Sequence, residues 1–535
     1  MPDPREEPGH QEDAADPDRR IAAAMTRAQS GSPVEAAADI RAVLAELSTE
    51  PSYMRAKAEY VRAVAAHHAS DADGVLDAVE ACVAQSRAIS EPGWEANAIT
   101  MRIVTQIRSG EGGDSVADLV AAEHALSMTT DEALAGWAHT GLGYAYDLLR
   151  LFELCIPHFE QATHIFVDPL GLSESPAIDR LNLAESNLRW AHEMERLGDP
   201  SYEEAIRERR RAAHRWAGEA LDLAVSEGAS EYWQLAGKVW LAASDEKAGP
   251  AAAAAVLQDC RDRLTKLGEL ELVAISGAYL AQAHAQLGEI DDARAAAERA
   301  ITDLPPLADP PVAAMVRHTA VQIAADAGEP GALAGLQYAR IIARGWWADR
   351  LRGLYAVRSA LSAHDLAMRH DAEWRAARED PLTGVGNRRA LDERLAEAAA
   401  SSRAVAVVVI DVDRLKEVND SHGHPSGDAL LRAVSALVSA ESRAEDVVAR
   451  AGGDEFVVVL DNPGDRGATE LIDRVRRAAD LLAATGVEPW TAGLRLSIGH
   501  ASSAEGTPVE QLLALADRRM YADKPRGTRG AQQND

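Results

Sequence analysis

Aromatic residues are scarce in this sequence: they make up 4% of 535 residues, with only four phenylalanines. A chain this long does not fill one hydrophobic core, so two or more domains are expected. With few rings and an Ala- and Leu-rich balance, helices are favoured. Cysteine is nearly absent. Cys82, Cys155 and Cys260 lie far apart with no C-x-x-C spacing, which excludes a disulfide framework or a zinc site and fits a reducing cytoplasm. No run approaches the ~18 apolar residues of a membrane helix. Basic charge is in deficit, 55 Lys and Arg against 85 Asp and Glu, for a net charge of -30. That argues against a general nucleic-acid binder, though a local cluster of Lys, Arg and metal still suffices for a nucleotide. The stretch from Met1 to about Arg20 is rich in Pro, Asp and Glu. It lacks the apolar core of a signal peptide and is expected to be disordered. These absences predict a soluble, cytoplasmic protein with neither membrane nor nucleic-acid partner.

The most informative stretch that is present is Arg450-Ala451-Gly452-Gly453-Asp454-Glu455-Phe456. Asp446 to Ala449 before it and Val457 to Leu460 after it read as strands. Two strands joined across Gly-Gly form a tight hairpin, because glycine accepts positive φ without steric cost. Bare backbone also admits a ligand closely, and two carboxylates follow at once. Upstream, Val405 to Ile410 is a continuous apolar run, the pattern of a strand buried on both faces. It ends in Asp411-Val412-Asp413, and alternation puts the two aspartates on one face. If this strand pairs with the hairpin, acids from both can share Mg²⁺, which takes one or two carboxylates plus phosphate oxygens.

An ordered series of motifs carries a family resemblance. It comprises Asp380-Pro381-Leu382-Thr383-Gly384-Val385-Gly386-Asn387-Arg388-Arg389, Asp411 to Asp420, His422 to Asp428, the Gly-Gly hairpin, Leu496-Ser497-Ile498-Gly499, and Ala516-Asp517 with Tyr521 and Lys524. Residues 380–529 resemble the GGDEF domain of the diguanylate cyclase family. The resemblance implies an α+β fold like that of nucleotide cyclase and polymerase palm domains. It also implies condensation of two GTP into cyclic di-GMP and two pyrophosphates, with two Mg²⁺ per site (Mn²⁺ substituting) and a homodimer for catalysis. By the same resemblance, Asp411, the Val412 carbonyl, Asp454 and Glu455 bind metal, and Asp454 or Glu455 helps deprotonate the attacking hydroxyl, Asp454 being favoured. Lys416 and Lys524 meet phosphates; Asn419 and Asp428 read guanine; Gly452 and Gly453 leave space for the nucleotide. His424 counts among the substrate-binding positions, although a turn role in a helix–helix loop is the stronger reading for it and His422. Arg443 and Asp446 form R-x-x-D ahead of the glycines, the place of the family's inhibitory product site, with Arg474 as a further contact. Leu415 and Phe456 read as core. This sequence departs from the family at Ala451, Leu415 and Thr528, where an aromatic, a phenylalanine and a phosphate-binding arginine are usual; Arg526 or Arg529 is placed to compensate for the last.

Within the domain, the pattern predicts a helix after Asn387, a strand into Asp411, a helix over 427–440, the hairpin, a helix around 470–484, a strand over 494–500 and a helix over 508–523. Residues 21–345 read as helical throughout. Trp137 to Phe166 carries Leu142, Gly143 and Tyr146 on one helix and Cys155, Phe159 and Ala162 on the next. Ala281 to Pro305 repeats the theme, and 60–87, 94–126 and 181–225 fit more loosely. These resemble tetratricopeptide repeats; a generic α-solenoid or helical bundle is the alternative. Either gives a surface for a protein or peptide partner. Arg207 to Arg211 reads as a solvated helix face rather than an anion site. Residues 346–379 form a linking helix in which Trp347, Leu354, Leu361 and Met368 recur every seven residues beside a poor row of Arg350, Val357, His364 and Asp371. A dimerising stalk and a helix docked on the last repeat both remain open. The short tail is 530–535. Besides a regulated cyclase, the pattern admits a non-catalytic receptor for cyclic di-GMP and a helical scaffold.

Overall fold

The computed structural model of the chain describes residues 16–29, 32–110, 115–165, 177–306, 308–400, 403–464, 466–485, 488–491 and 493–524. Expectations for residues 1–15, Phe166, Arg526, Thr528, Arg529 and 530–535 fall outside them. The chain divides into two compact units, Met1–Ala363 and His364–Asp535. Among the described residues no helix is long and apolar enough to cross a membrane.

The first unit is all-helical and built from successive helix hairpins. These are α1 (Pro17–Gln29) with α2 (Pro33–Glu46), α3 (Tyr53–His68) with α4 (Ala72–Ala88), α5 (Pro92–Ser109) with α6 (Ser115–Ser127), α7 (Glu132–Leu148) with α8 (Phe152–Ile165), α9 (Ile178–Leu197) with α10 (Glu203–Ser226), α11 (Glu231–Ser244) with α12 (Pro250–Leu267), and α13 (Leu270–Leu287) with α14 (Ile290–Asp303). Then come α15 (Pro310–Asp326) and α16 (Ala332–Arg378). Each odd-numbered helix from α1 to α13 touches the next odd-numbered helix as well as its hairpin partner. Small residues set these approaches. A Cβ on Gly143 would lie 2.7 Å from the Phe159 ring, so α7 and α8 meet there only because that side chain is missing.

Two expectations are corrected here and one open choice is narrowed. Pro17 to Arg20 are helical, not disordered. Proline at the first position and Asp18 in the first turn favour a helix start, and the buried Lys57 pairs with Asp18 at 2.7 Å. The linking helix begins at Ala332 rather than Trp346. Part of its heptad face is docked: Leu354 and Val357 lie in one core with Ile99, Tyr146 and Phe159, whereas Met368 and Asp371 are exposed. Arg350, which seemed to spoil the companion row, is itself only 3% exposed. It donates to the Arg150 carbonyl at 2.7 Å, pairs with Glu153, and lies 4.4 Å from the Trp347 ring centre. The arginines of α10 are largely tied to neighbouring acids, as a solvated face would be: Arg207 and Arg211 to Glu204, Arg209 to Glu208.

The second unit holds α17 (Arg388–Ala400), β1 (Val405–Val412), α18 (Leu415–His422), α19 (His424–Glu441), β2 (Val447–Gly452), β3 (Glu455–Asp461), α20 (Gly467–Thr485), β4 (Leu496–Ser502) and α21 (Val509–Asp523). Its four strands form one antiparallel sheet in the order β2-β3-β1-β4. β1 is buried along its whole length because helices cover both faces. Ala406, Val408 and Ile410 pack with Phe456, Leu430 of α19 and Val475 of α20. Val405, Val407 and Val409 pack with Leu391 of α17 and Leu512 and Ala516 of α21. Gly499 permits the second layer: a Cβ there would sit 2.1 Å from the Met520 backbone nitrogen, so α21 lies directly on β4. The expected order of elements holds, with one omission. The eight-residue α18 precedes α19, and the loop between them is Gly423 alone. His422 therefore ends α18 and His424 begins α19, rather than both lying in a loop.

Candidate active site

The site grows from strand register. In β1, Asp411 shares parity with Val405, Val407 and Val409, and so points to the layer of α17 and α21. It pairs across the sheet with Glu455 of β3 on one side and Ser497 of β4 on the other. The Val412 nitrogen donates to the Asp454 carbonyl at 3.0 Å, locking the end of β1 to the hairpin turn. Lys524 follows α21 and donates to Asp411 at 2.9 Å. Asp411, Val412, Asp454, Glu455 and Lys524 are thus brought to one corner of the sheet.

Electrostatics mark this corner as strained by negative charge. Burial pushes the Asp411 carboxyl above its ordinary value, opposed by the Lys524 hydrogen bond and reinforced by Asp454. Burial also raises Glu455, with Asp517, Asp411 and Asp454 adding to it. For Lys524 burial acts downward, yet Asp411, Asp454 and Asp413 together raise it. Such a set favours a divalent cation, whose charge relieves the repulsion and replaces lost hydration. Among the described residues, the group whose donor atoms all lie within 4.8 Å of one another is His284, Glu289 and Asp292, in the helical unit. The carboxylates of the sheet corner converge by register without closing to that distance. Asp413 turns aside. The strand ends at Val412, Arg414 adopts φ +64, and the Asp413 carboxylate accepts from Ser497 Oγ at 2.9 and 3.0 Å.

The hairpin turn is open. No atom of the described residues lies within 4 Å of a Cβ placed on Gly452 or Gly453, and Gly453 sits at φ +52, where glycine is favoured. Asn419 and Asp428 stand on the α18–α19 pair. The Asn419 carboxamide lies over Gly427, where a Cβ would come within 1.9 Å of its Oδ1. Lys416 and His424 are exposed on the same pair of helices. Elsewhere, Arg443 and Asp446 form a tight turn. The Asp446 carboxylate accepts from the Arg443 nitrogen at 2.9 Å, while its Oδ1 is buried with no partner among the described residues. Arg474 is held beside that turn by Glu441 at the end of α19.

Sequence reasoning missed a brace. Arg450 donates to the Gly453 carbonyl from Nε at 2.9 Å and from Nη2 at 2.6 Å, and its Nη1 reaches Asp380 at 3.1 Å. Asp380 in turn accepts from the nitrogen and hydroxyl of Thr383. The Gly386 nitrogen donates to the Val448 carbonyl, and the Arg450 nitrogen to the Gly386 carbonyl. The opening D-P-L-T-G stretch is therefore a strut that holds the hairpin. Its one signal in the sequence was two opposite charges in two separate motifs.

A four-stranded antiparallel sheet under two helical layers, with acids from adjacent strands beside a glycine turn, makes an α+β domain. Residues 377–530 match the family described as "Diguanylate cyclase, GGDEF domain", and the C-terminal third of the chain is such a domain. Among curated proteins, the chain is similar to "Diguanylate cyclase DosC" of Escherichia coli, 35% identical over 152 residues that cover 28% of this chain and 33% of that protein. Among solved structures, it is similar to the coiled coil and GGDEF domain of DgcB from Caulobacter crescentus in complex with c-di-GMP, at 25% identity. That match covers 34% of this chain and 96% of that one, with a TM-score of 0.30. Diguanylate cyclase SiaD from Pseudomonas aeruginosa, in complex with its activator SiaC, is 29% identical. It covers 39% of this chain and 81% of that one, with a TM-score of 0.27. The chain spans about a third of the length of the curated relatives it matches first.

Proposed function

We propose that the chain is a diguanylate cyclase that joins two GTP molecules into cyclic di-GMP and releases two pyrophosphates. The observation that carries this reading is the cross-strand pairing of Asp411 with Glu455, with Asp454 hydrogen-bonded to the end of β1, beside an open glycine turn. Asp411, Asp454, Glu455 and the Val412 carbonyl would hold Mg²⁺. When bound, the ion supplies positive charge against the triphosphate. Asp454 takes the proton from the attacking 3′-hydroxyl. Lys524, already beside Asp411, and Lys416 neutralise phosphate charge. Asp428 and Asn419 accept from and donate to the guanine edge, which adenine does not match. The Arg450–Asp380 brace keeps the turn open and fixed, so that the phosphates and hydroxyl meet in line. One domain binds one GTP, so two copies must face each other.

The orphaned Oδ1 of Asp446, on a turn that carries the exposed Arg443 and with Arg474 held at nearby Glu441, supports a second place for cyclic di-GMP, where product restrains the enzyme. An acceptor buried without a donor is costly, and a guanine edge supplies the donor. The helical hairpins, each touching its neighbours along the chain, support a tetratricopeptide-like array that regulates the cyclase.

Purified chain with GTP and Mg²⁺ should yield cyclic di-GMP, and Asp454→Ala should yield none. Equal, negligible product from both would leave only a binding role. Wild-type activity should rise more steeply than protein concentration; strict proportionality in a proven monomer refutes the two-domain requirement.

A further inference from the structure

The first unit contains a cavity of about 290 Å³ between α9, α10, α13 and α15, lined by His192, Arg196, Arg210, Gln282, His318 and Thr319 among others. It opens to solvent beside Gln286 and Asp326, both exposed. Its lining carries Arg196 and Arg210 together with the acids Glu195 and Asp326. Arg196 is 7% exposed, yet its guanidinium makes no hydrogen bond or ion pair among the described residues. The nearby acids of α9 are engaged elsewhere. Glu193 pairs with Arg150 at 2.9 Å, and Glu195 with Arg210 at 2.6 Å and His192 at 3.0 Å. What Arg196 has is the face of Trp346, 5.4 Å from the ring centre, which leaves its N–H groups unused. Burial lowers its pKa, and Arg150 adds to that against the opposing pull of Glu193. A second group is orphaned on the same wall: His318 Nε2 is buried with no partner among the described residues. His318 is kept neutral, lowered to about 4 by burial and by Arg196 and His192, so it offers a neutral donor or acceptor.

A buried arginine with no direct ion pair is retained only at a cost in stability. A planar guanidinium fork with free donors matches the two oxygens of a carboxylate or phosphate. We infer that this cavity binds a small organic oxyanion, a carboxylate or a phosphate monoester, whose charged end lies on Arg196 with His318 beside it and whose polar body lies along Gln282 and Thr319. The volume is at the small end for ligand pockets, so the occupant is a metabolite rather than a folded partner. This inference concerns the helical unit alone and stands whether or not the second unit turns over GTP.

The test uses the full chain and two probes, citrate and glycerol 3-phosphate, each at constant ionic strength against chloride, read by titration calorimetry and thermal melting. One probe class should bind and raise the melting temperature. Citrate alone identifies a carboxylate ligand, and glycerol 3-phosphate alone a phosphate ester. Arg196→Met should weaken that binding by ~10- to 100-fold, the worth of a lost charged hydrogen bond. Its own melting should match or exceed wild type, because an uncompensated charge has gone. His318→Phe should weaken binding while leaving the fold intact. No response of wild type to either probe overturns the inference. So does Arg196→Met that binds as well as wild type, or that melts well below it with anion binding unchanged, since Arg196 would then be a purely structural partner of Trp346.

Discussion

Replacing Gly499 by alanine adds a single methyl group, and the structure assigns it a large effect. The new Cβ would stand 2.1 Å from the Met520 nitrogen and 2.2 Å from the Ala516 carbonyl oxygen. Non-bonded heavy atoms prefer roughly 3.5 Å, so α21 must retreat from β4 by roughly 1 Å. Overpacking costs about 1–3 kcal/mol where side chains can yield. Here both obstructing atoms are helix backbone, so the expected loss is about 3 kcal/mol. For a unit of this size that is roughly 6–12 °C of melting temperature. Activity should fall with it, because Lys524 directly follows α21 and its 2.9 Å contact with Asp411 would open. Calorimetry of the full chain measures the first effect, and hydrogen exchange over β4 and α21 locates it. Gly453→Ala is the control. Nothing lies within 4 Å of its Cβ, so only the positive φ is penalised, by about 1–2 kcal/mol. If Gly499→Ala melts and exchanges like wild type, the direct seating of α21 on β4 is wrong.

Arg450→Met should leave the sheet intact but slacken the turn, costing about 2–4 kcal/mol as charged hydrogen bonds to Gly453 and Asp380 are lost. Product formation should fall more than stability does, with Asp380→Asn showing the same pattern in parallel assays. Gly143→Ala should destabilise the helical unit by about 1–3 kcal/mol through the Phe159 ring, and Phe159→Leu should restore part of the loss in a double-mutant cycle of melting curves. Glu185 gives a pH signature: burial and the nearby Asp147, Glu271 and Asp309 raise it to about 7, against the opposing Arg189. Above its unfolded value the folded state binds the extra proton, so stability declines as pH rises toward 7 and the penalty is complete above it. Glu185→Gln should therefore melt higher than wild type at pH 8 and not at pH 4; a gain independent of pH contradicts the assignment.

Local pattern explains what could be foreseen. The apolar run of β1 announced a strand covered on both faces, and the Gly-Gly pair announced the turn, so the meeting of Asp411 with Glu455 was legible once the two strands paired. Long-range partners were not. Arg450 and Asp380 are 70 residues apart, and charge alone does not select one partner among 85 acids and 55 bases. Arg350 looked like a fault in a heptad because periodicity counts only apolar residues, whereas here its guanidinium is buried against rings, a carbonyl and Glu153. The eight residues of α18 are too few for a helical period to stand out from the motif they carry. The start of α16 was misplaced because the Gly345-Trp346 step reads as a boundary, and the packing of Leu336 and Ala343 overrides it.

The central position of β1 has a consequence for the chain during synthesis. Both neighbours of β1, β3 and β4, come later in the sequence, so the strand emerges from the ribosome with neither edge paired. An uncharged segment such as Val405 to Ile410 is the type that seeds intermolecular cross-β stacking. It is bracketed by Arg403 on one side and by Asp411 and Asp413 on the other. Those flanking charges act as gatekeepers against self-association of the nascent chain. The two aspartates at the corner of the sheet would then serve solubility as well as the proposed chemistry, and neutralising both together should show first as insoluble protein.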